Sequence, residues 1–183
     1  MAPPVKRIKS KVCLVGEASV GKTSLIRRYV LDEFDDKYVT TLGAKVSKRE
    51  VDLPVGDVQY QVDMTIWDIM GEKGFRELLK EAFFFGARGV LAVSDVTRMV
   101  SLQDLDDWIQ SVFHVCGEVP VVYAVNKADL RGQPGSFGDK EIAVHAKAFS
   151  ATHLYTSAKT GENVEKAFET LARAIVSRGV HDT

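Results

Sequence analysis

An octapeptide near the start of the chain has the residue types and the spacing of a phosphate-binding loop. It reads Gly16-Glu17-Ala18-Ser19-Val20-Gly21-Lys22-Thr23 and matches the P-loop pattern G-x-x-x-x-G-K-[ST]. Its glycines let successive backbone N–H groups point inward at a phosphate, and the helix that follows adds the positive end of its dipole. We expect Lys22 to reach the outer phosphate oxygens and the Thr23 hydroxyl to bind Mg²⁺.

A second motif follows a long apolar run and could select a base. Asn126-Lys127-Ala128-Asp129 comes directly after the run at 119–125. The Asp129 carboxylate can accept hydrogen bonds from the N1–H and the exocyclic amino group of guanine, a pattern that adenine does not offer. We expect Asn126 to hold the neighbouring loops together and Lys127 to lie along the base. The motif therefore predicts a guanine nucleotide.

Both motifs need strands that end at one edge of a sheet. Apolar runs and period-two alternation predict strands at 12–15, 44–53, 58–67, 89–94, 119–125 and 153–157, with a hairpin turn at 53–57. Helical periodicity predicts helices after Lys22, around 102–113, at 139–151 and at 164–176. This alternation predicts an α/β, three-layer P-loop NTPase fold with a six-stranded, mostly parallel sheet, one antiparallel strand and about five helices.

Together with Ser157-Ala158-Lys159 after the last strand, these motifs resemble the Ras-like small GTPases, and the Rab branch in particular. The resemblance covers nearly the whole chain. It implies that Ser157 and Ala158 support the guanine, the Ala158 N–H meeting the base oxygen, and that Lys159 packs on the ring. It also implies that Ser24 contacts the nucleotide and that Phe34 stands edge-on to the base, with a core aromatic as the alternative for Phe34.

Two further segments resemble the switch regions of this family. In Tyr38-Val39-Thr40-Thr41-Leu42-Gly43 the threonine before an aliphatic-glycine pair is expected to bind Mg²⁺ and the γ-phosphate, which selects Thr41, with Thr40 as the alternative. In Asp68-Ile69-Met70-Gly71 the resemblance implies that Asp68 holds the metal through a water and that the Gly71 N–H contacts the γ-phosphate. The implied metal site is therefore Thr23, Thr41 and Asp68. Loss of the γ-phosphate would release both segments, so effector, exchange and activating proteins are expected at about 34–46 and 68–85.

The position after the second switch motif departs from the family. Glu72 stands where these proteins usually have the glutamine that orients the attacking water. A carboxylate cannot donate a hydrogen bond to a charged phosphoryl oxygen and repels it. The predicted catalytic residues are Lys22, Thr41, Gly71 and Glu72, with Arg76 as a distant helper, and we expect slow hydrolysis that a partner accelerates.

Two other functions remain open from the sequence. Glu72 is also compatible with a module that binds GTP and GDP without cleaving GTP, so that exchange alone sets its state. The second alternative is a P-loop kinase, against which the motif at 126–129 and the segment at 68–71 both argue.

Composition limits the remaining classes of protein. The 183 residues carry 24 Lys and Arg against 25 Asp and Glu, so the net charge of −1 offers no general attraction to nucleic acid. The length predicts a single domain over 1–183, with short flexible ends at about 1–8 and 178–183. Two cysteines in apolar stretches favour a reducing compartment, for which the cytoplasm is the default. We expect a monomer without a direct lipid anchor.

Overall fold

The computed structural model describes residues 1–35, 37, 41 and 43–181, of which 180 and 181 are described for the backbone alone. Over these residues the strands are β1 (Val5–Val15), β2 (Ala44–Val55), β3 (Val58–Ile69), β4 (Ala87–Asp95), β5 (Val121–Asn126) and β6 (Thr152–Tyr155). They form one sheet in the order β2-β3-β1-β4-β5-β6. Each neighbouring pair is parallel except β2 with β3, which is antiparallel. The predicted sheet is confirmed.

Helices connect the parallel strands. Within the described residues they are α1 (Lys22–Leu31), α2 (Lys73–Phe84), α3 (Met99–Gln103), α4 (Leu105–Cys116), α5 (Asp139–Ala148) and α6 (Val164–His181), with a 3₁₀ turn at Ala128–Leu130. Asp104 alone separates α3 from α4, so the two act as one interrupted helix and the expected number of about five is confirmed. None of the described helices has both the length and the apolarity needed to cross a bilayer.

The sheet separates two hydrophobic cores. Successive side chains of a strand point to opposite faces of the sheet. In β1, Val12 and Leu14 therefore join the core under α1 and α6, whereas Cys13 and Val15 join the core on the other face. The apolar stripe predicted for the last helix is buried throughout, at Val164, Ala167, Phe168, Leu171, Ala172, Ile175 and Val176. This arrangement is the predicted three-layer fold.

Both ends of the chain are more regular than the sequence indicates. β1 begins at Val5, and residues 5–8 pair with residues 59–62 of β3. Residues 5–8, which the sequence predicts as part of a flexible end, are paired in the sheet, because the length of β3 gives them a hydrogen-bonding partner. At the other end, α6 continues to His181, beyond the predicted helix at 164–176.

The hairpin turn is shorter than expected. Pro54 pairs with Gln59, and Val55 pairs with Val58, which leaves only Gly56 and Asp57 in the turn. Gly56 adopts φ +59°, a conformation that glycine takes without steric cost. Pro54 can extend β2 because β2 is an edge strand, where a missing N–H disturbs no inner pair.

A stacked aromatic pair contributes to the packing of α1 against α6. The rings of Tyr29 and Phe168 are parallel within 3°, with centroids 4.1 Å apart. The buried Tyr29 hydroxyl has no hydrogen-bond partner in the described part of the chain.

Phe168→Ala should lower the free energy of unfolding by about 3–5 kcal/mol through cavity formation. Tyr29→Phe should leave it unchanged or raise it by up to about 1 kcal/mol, because it removes an unsatisfied hydroxyl.

Urea unfolding of the two variants measures these changes. An equal loss from both substitutions would contradict this description of the pair, since it would mean that the Tyr29 hydroxyl has a stabilising partner.

Candidate functional site

A cavity of about 470 Å³ lies at the carboxyl edge of the parallel strands, a volume typical of a small-molecule site. Most of the predicted site residues line it: Ala18, Ser19, Gly21, Lys22, Thr23, Ser24, Phe34, Thr41, Gly71, Glu72, Asn126, Lys127, Asp129, Ala158 and Lys159. The other predicted residues, Gly16, Glu17, Val20, Asp68 and Ser157, surround or support it. Arg27, Asp35, Lys37, Ile69 and Leu130 also line the cavity and were not predicted.

Close contacts with neighbouring segments require glycine at two positions of the P-loop. Gly16 adopts φ +145°, and a Cβ there would collide with the Val93 carbonyl oxygen. Gly21 adopts φ +100°, and a Cβ there would collide with the side-chain amide of Asn126. The glycine spacing thus lets the loop pass between the ends of β4 and β5.

Lys22 is a buried cation, with only 6 % of its surface exposed. Its Nζ donates to the carbonyl oxygens of Gly16 at 2.7 Å and Glu17 at 2.9 Å. An ammonium has three N–H donors, and the third has no acceptor among the described residues. Burial lowers the pKa of Lys22 to about 8, although the nearby carboxylate of Asp68 opposes the shift. The site therefore holds a costly positive charge that an anion in the cavity would stabilise.

Three oxygen-bearing side chains meet beside Lys22. The Thr23 hydroxyl donates to Asp68 Oδ2 at 2.5 Å, and Thr41 Oγ1 lies 3.0 Å from Thr23 Oγ1 and 3.3 Å from Asp68 Oδ2. Asp68 Oδ1 is buried without a partner in the described part of the chain, and burial raises the pKa of this carboxyl. An all-oxygen donor set with one carboxylate fits Mg²⁺, which retains several waters and takes the rest of its ligands from phosphates.

The described residues contain no cluster of three or more His, Cys, Asp or Glu side chains that could hold a metal ion. Any Mg²⁺ at this site would therefore depend on the two threonine hydroxyls and on the phosphates as well as on Asp68. Thr40, the alternative to Thr41, lies outside the described residues, as do Tyr38, Val39 and Leu42.

The opposite end of the cavity is built from the segments at 126–129 and 157–159, which the sequence predicts to contact guanine. The Ser157 hydroxyl donates to Asp129 Oδ1 at 2.7 Å, which fixes the carboxylate at the cavity wall. Asn126 Nδ2 donates to the Val20 carbonyl oxygen at 3.0 Å, while Asn126 Oδ1 accepts from Thr156 at 3.2 Å. Asn126 thus joins the P-loop to the segment after β6, and its side chain supports the loops.

The position of Phe34 is compatible with both roles that the sequence leaves open. It lines the cavity and also packs, partly buried, against the core under α1 and α6.

The second switch segment lies directly on the P-loop. A Cβ on Gly71 would collide with the backbone of Glu17 and Ala18, so only glycine permits this approach. Met70 also connects the two switch segments, because its N–H donates to the Gly43 carbonyl oxygen at 2.9 Å and its Sδ accepts from the Gly43 N–H at 3.3 Å.

Arg76 does not reach the phosphate end. Its guanidinium lies over the ring of Trp108, a buried residue of α4, 4.9 Å from the centroid. The expectation that Arg76 helps hydrolysis is not supported in this conformation, because cation–π contact with Trp108 directs the side chain away from the cavity.

The model of the Ras family matches residues 11–177, nearly the whole chain. This chain belongs to the Ras family. Its members are small GTPases that act as nucleotide-dependent switches, bind GTP and GDP, and typically use Mg²⁺. The buried lysine, the oxygen cluster and the fixed Asp129 carboxylate thus lie in a Ras-family domain.

An ion-pair network connects the two ends of this Ras-family site and was not predicted. Asp95, buried at the end of β4, pairs with Lys127 Nζ at 2.9 Å and Arg98 Nε at 3.3 Å. Arg98 also pairs with Glu17 at 3.1 Å and donates to the Ala18 carbonyl oxygen at 3.0 Å. Burial alone would raise the pKa of Asp95, but hydrogen bonds from Thr97 and Lys127 outweigh it and lower the pKa.

One signal in the sequence could have indicated Asp95. It ends a buried apolar strand, as Asn126 does, and polar side chains at the carboxyl ends of parallel strands gather at one edge. Arg98 has no comparable signal for its role in the site, since its partners in the P-loop, Glu17 and Ala18, lie about 80 residues away.

The lowered pKa of Lys22 predicts that nucleotide binding is coupled to proton uptake. Bound phosphates favour the charged ammonium and so raise its pKa. At about pH 8.5, above the pKa of the free protein, GDP binding should therefore take up most of one proton, and the uptake should shrink towards about pH 7.5. Calorimetry in buffers of different ionisation enthalpy measures the uptake.

Lys22→Arg is the matched control because a guanidinium stays charged throughout this range. It should abolish the uptake wherever binding persists. The same uptake by this variant would assign the proton to another group.

Proposed function

We propose that the protein is a GTP-binding switch that hydrolyses GTP to GDP and phosphate slowly on its own and faster with a partner. The observation that carries the proposal is one cavity with a buried, incompletely satisfied Lys22 at one end and an Asp129 carboxylate fixed by Ser157 at the other. A cation at one end and a two-point acceptor at the other match a guanine nucleotide. Adenine would leave the Asp129 carboxylate unpaired, which costs affinity.

The phosphate end can stabilise the charge that develops during hydrolysis. Lys22 supplies a fixed positive charge, and the P-loop N–H groups add their dipoles. Thr23, Thr41 and Asp68 would hold Mg²⁺, which neutralises charge on the phosphate oxygens when it is bound. Gly71 lies against the P-loop backbone, which supports the proposal that its N–H contacts the γ-phosphate. These residues position a reaction that needs no covalent step.

Glu72 is the reason for the slow rate. It lines the cavity at the start of α2, where its carboxylate can accept a hydrogen bond from water but cannot donate one to a phosphoryl oxygen. Its negative charge also opposes the charge of the phosphate. A partner that brings its own cationic group would offset both effects.

The switch would act through the segments at about 34–46 and 68–85. Thr41 and Gly71 would each lose a contact when the γ-phosphate leaves, so their segments could relax. Helix α2 already presents an apolar surface of Phe75, Leu78 and Leu79, of which Leu78 is 78 % exposed. We propose this surface and the first switch segment as the places where effector, exchange and activating proteins bind.

A second candidate is a GTP-dependent binding module that never cleaves GTP. The observation in its favour is again Glu72, since a carboxylate at the wall of a phosphate pocket disfavours attack. The P-loop kinase is less well supported, because the Asp129 carboxylate and the close fit of Gly71 on the P-loop both match a guanine-nucleotide switch.

We further propose the cytoplasm as the compartment and a monomer as the functional unit, with one domain over the whole chain. The free thiols of Cys13 and Cys116 support a reducing environment. The Rab branch is proposed on the sequence resemblance alone.

Asp129→Asn tests the base specificity. The amide donates where guanine also donates, so the affinity for GDP should fall by about 100-fold or more. Xanthosine diphosphate carries an acceptor in place of the amino group and should bind the variant better than GDP. Competition against a fluorescent nucleotide measures both, and Asp107→Asn on the exposed face of α4 is the control that should change neither.

An Asp129→Asn protein that binds GDP as tightly as the wild type would mean that Asp129 does not read the base.

Glu72→Gln tests the catalytic position. The new amide can donate to a phosphoryl oxygen and removes a repelling charge, so the single-turnover rate of GTP hydrolysis should rise by roughly 10- to 100-fold. Glu81→Gln, the same change farther along α2, should leave the rate unaltered.

The comparison also separates the two candidate functions. No cleavage by the wild type, either alone or with cell extract, together with no gain from Glu72→Gln, would favour the non-hydrolysing module.

A further inference from the structure

Arg28 joins α1 to the loop after β6 through a two-point contact. Its Nε donates to the Ala158 carbonyl oxygen at 2.8 Å, and its Nη2 donates to the Lys159 carbonyl oxygen at 2.7 Å. Nη1 pairs with Asp32 at 3.1 Å. The planar guanidinium thus holds two successive peptide carbonyls in fixed directions, which the point charge of a lysine cannot do.

Hydrogen bonds orient the peptide groups on both sides of Ala158. The Ser157 carbonyl oxygen accepts from the Gly161 N–H at 2.8 Å, which orients the peptide group before Ala158. Arg28 orients the peptide group after it. The Ala158 methyl is buried in the core under α1 and α6, and its N–H has no acceptor among the described residues. The Ala158 N–H is therefore a hydrogen-bond donor in a fixed position at the wall of the cavity.

Helix α1 also carries residues of the proposed phosphate end of the cavity. Lys22 and Thr23 form its first turn, and Arg28 lies about 9 Å farther along the helix axis. A rigid helix of this length transmits displacement, so a shift of α1 at the phosphates would move the guanidinium away from its two carbonyls.

We propose that Arg28 is a positioning residue for the base: by holding the carbonyls of Ala158 and Lys159, it directs the Ala158 N–H at the 6-oxo group of guanine and so sets how long the nucleotide stays bound. This inference rests on the proposed guanine-nucleotide function. It concerns retention of the nucleotide, since Arg28 does not line the cavity and touches neither the phosphates nor the base.

Arg173 on α6 offers a matched control. It is an exposed arginine that also donates to a peptide carbonyl, from Nη1 to the Pro54 oxygen at 2.7 Å, and it does not line the cavity. Replacing each arginine by lysine keeps the charge and the helix propensity while it removes the fork.

The test measures dissociation of two bound nucleotides from the full chain. One is GDP, and the other is 6-thioguanosine diphosphate, which keeps the N1–H and the amino group but replaces the 6-oxo oxygen by sulfur, a weaker acceptor. Arg28→Lys should accelerate GDP dissociation by about tenfold, the loss expected for one hydrogen bond. It should accelerate release of the thio analogue by less than about threefold, because that contact is already weak in the wild type. Arg173→Lys should change neither rate.

Two outcomes would overturn the inference. Equal acceleration for both nucleotides would show that Arg28 only stabilises the loop, and unaltered GDP dissociation would show that the fork is not needed. Thermal unfolding of Arg28→Lys without nucleotide reports on any general loss of stability. Failure of the wild type to bind GDP would instead count against the proposed function and is seen before any variant is made.

Discussion

The burial of the Lys22 ammonium is the constraint on which the site depends. A charge removed from water is costly unless polar groups surround it, and here the carbonyls of Gly16 and Glu17 supply two of them. The P-loop also passes close to Val93 and Asn126, where Gly16 and Gly21 leave room. The third N–H of Lys22 is left for a ligand. The lowered pKa of Lys22 is thus a consequence of its burial in a loop whose glycines permit close packing.

The fold brings the other parts of the site to this charge. Because the parallel strands end at one edge, the residues that end or follow β1, β3, β5 and β6 meet around the cavity. Long-range contacts then fix them to one another. Asp95 and Arg98 join Lys127 to the P-loop, and Arg28 joins α1 to Ala158. The base end and the phosphate end are therefore parts of one connected unit, in which α1 belongs to both.

The parts of the fold and site that could be predicted from sequence are those with local signals. The P-loop has a fixed spacing, and α6 shows its apolar stripe at every turn. The first half of β1 could not be predicted, because Lys6, Arg7 and Lys9 hide a strand whose partner lies more than fifty residues away. Arg28 and Arg98 were missed for the same reason: an arginine has no local pattern that reveals a distant carbonyl or carboxylate. The position of Arg76 over Trp108 likewise depends on the packing of α2 on α4.

The central claim is that one cavity accepts a polyphosphate beside Lys22 and a guanine beside Asp129. Parallel equilibrium titrations of the nucleotide-free protein with GDP and with ADP, each in the presence of Mg²⁺, test it most directly. Specific recognition by the Asp129 carboxylate, which Ser157 holds in place, predicts that GDP binds at least about 1,000-fold more tightly than ADP. Equal affinities would contradict the account even if both were high, because they would mean that the phosphates bind but the base is not read.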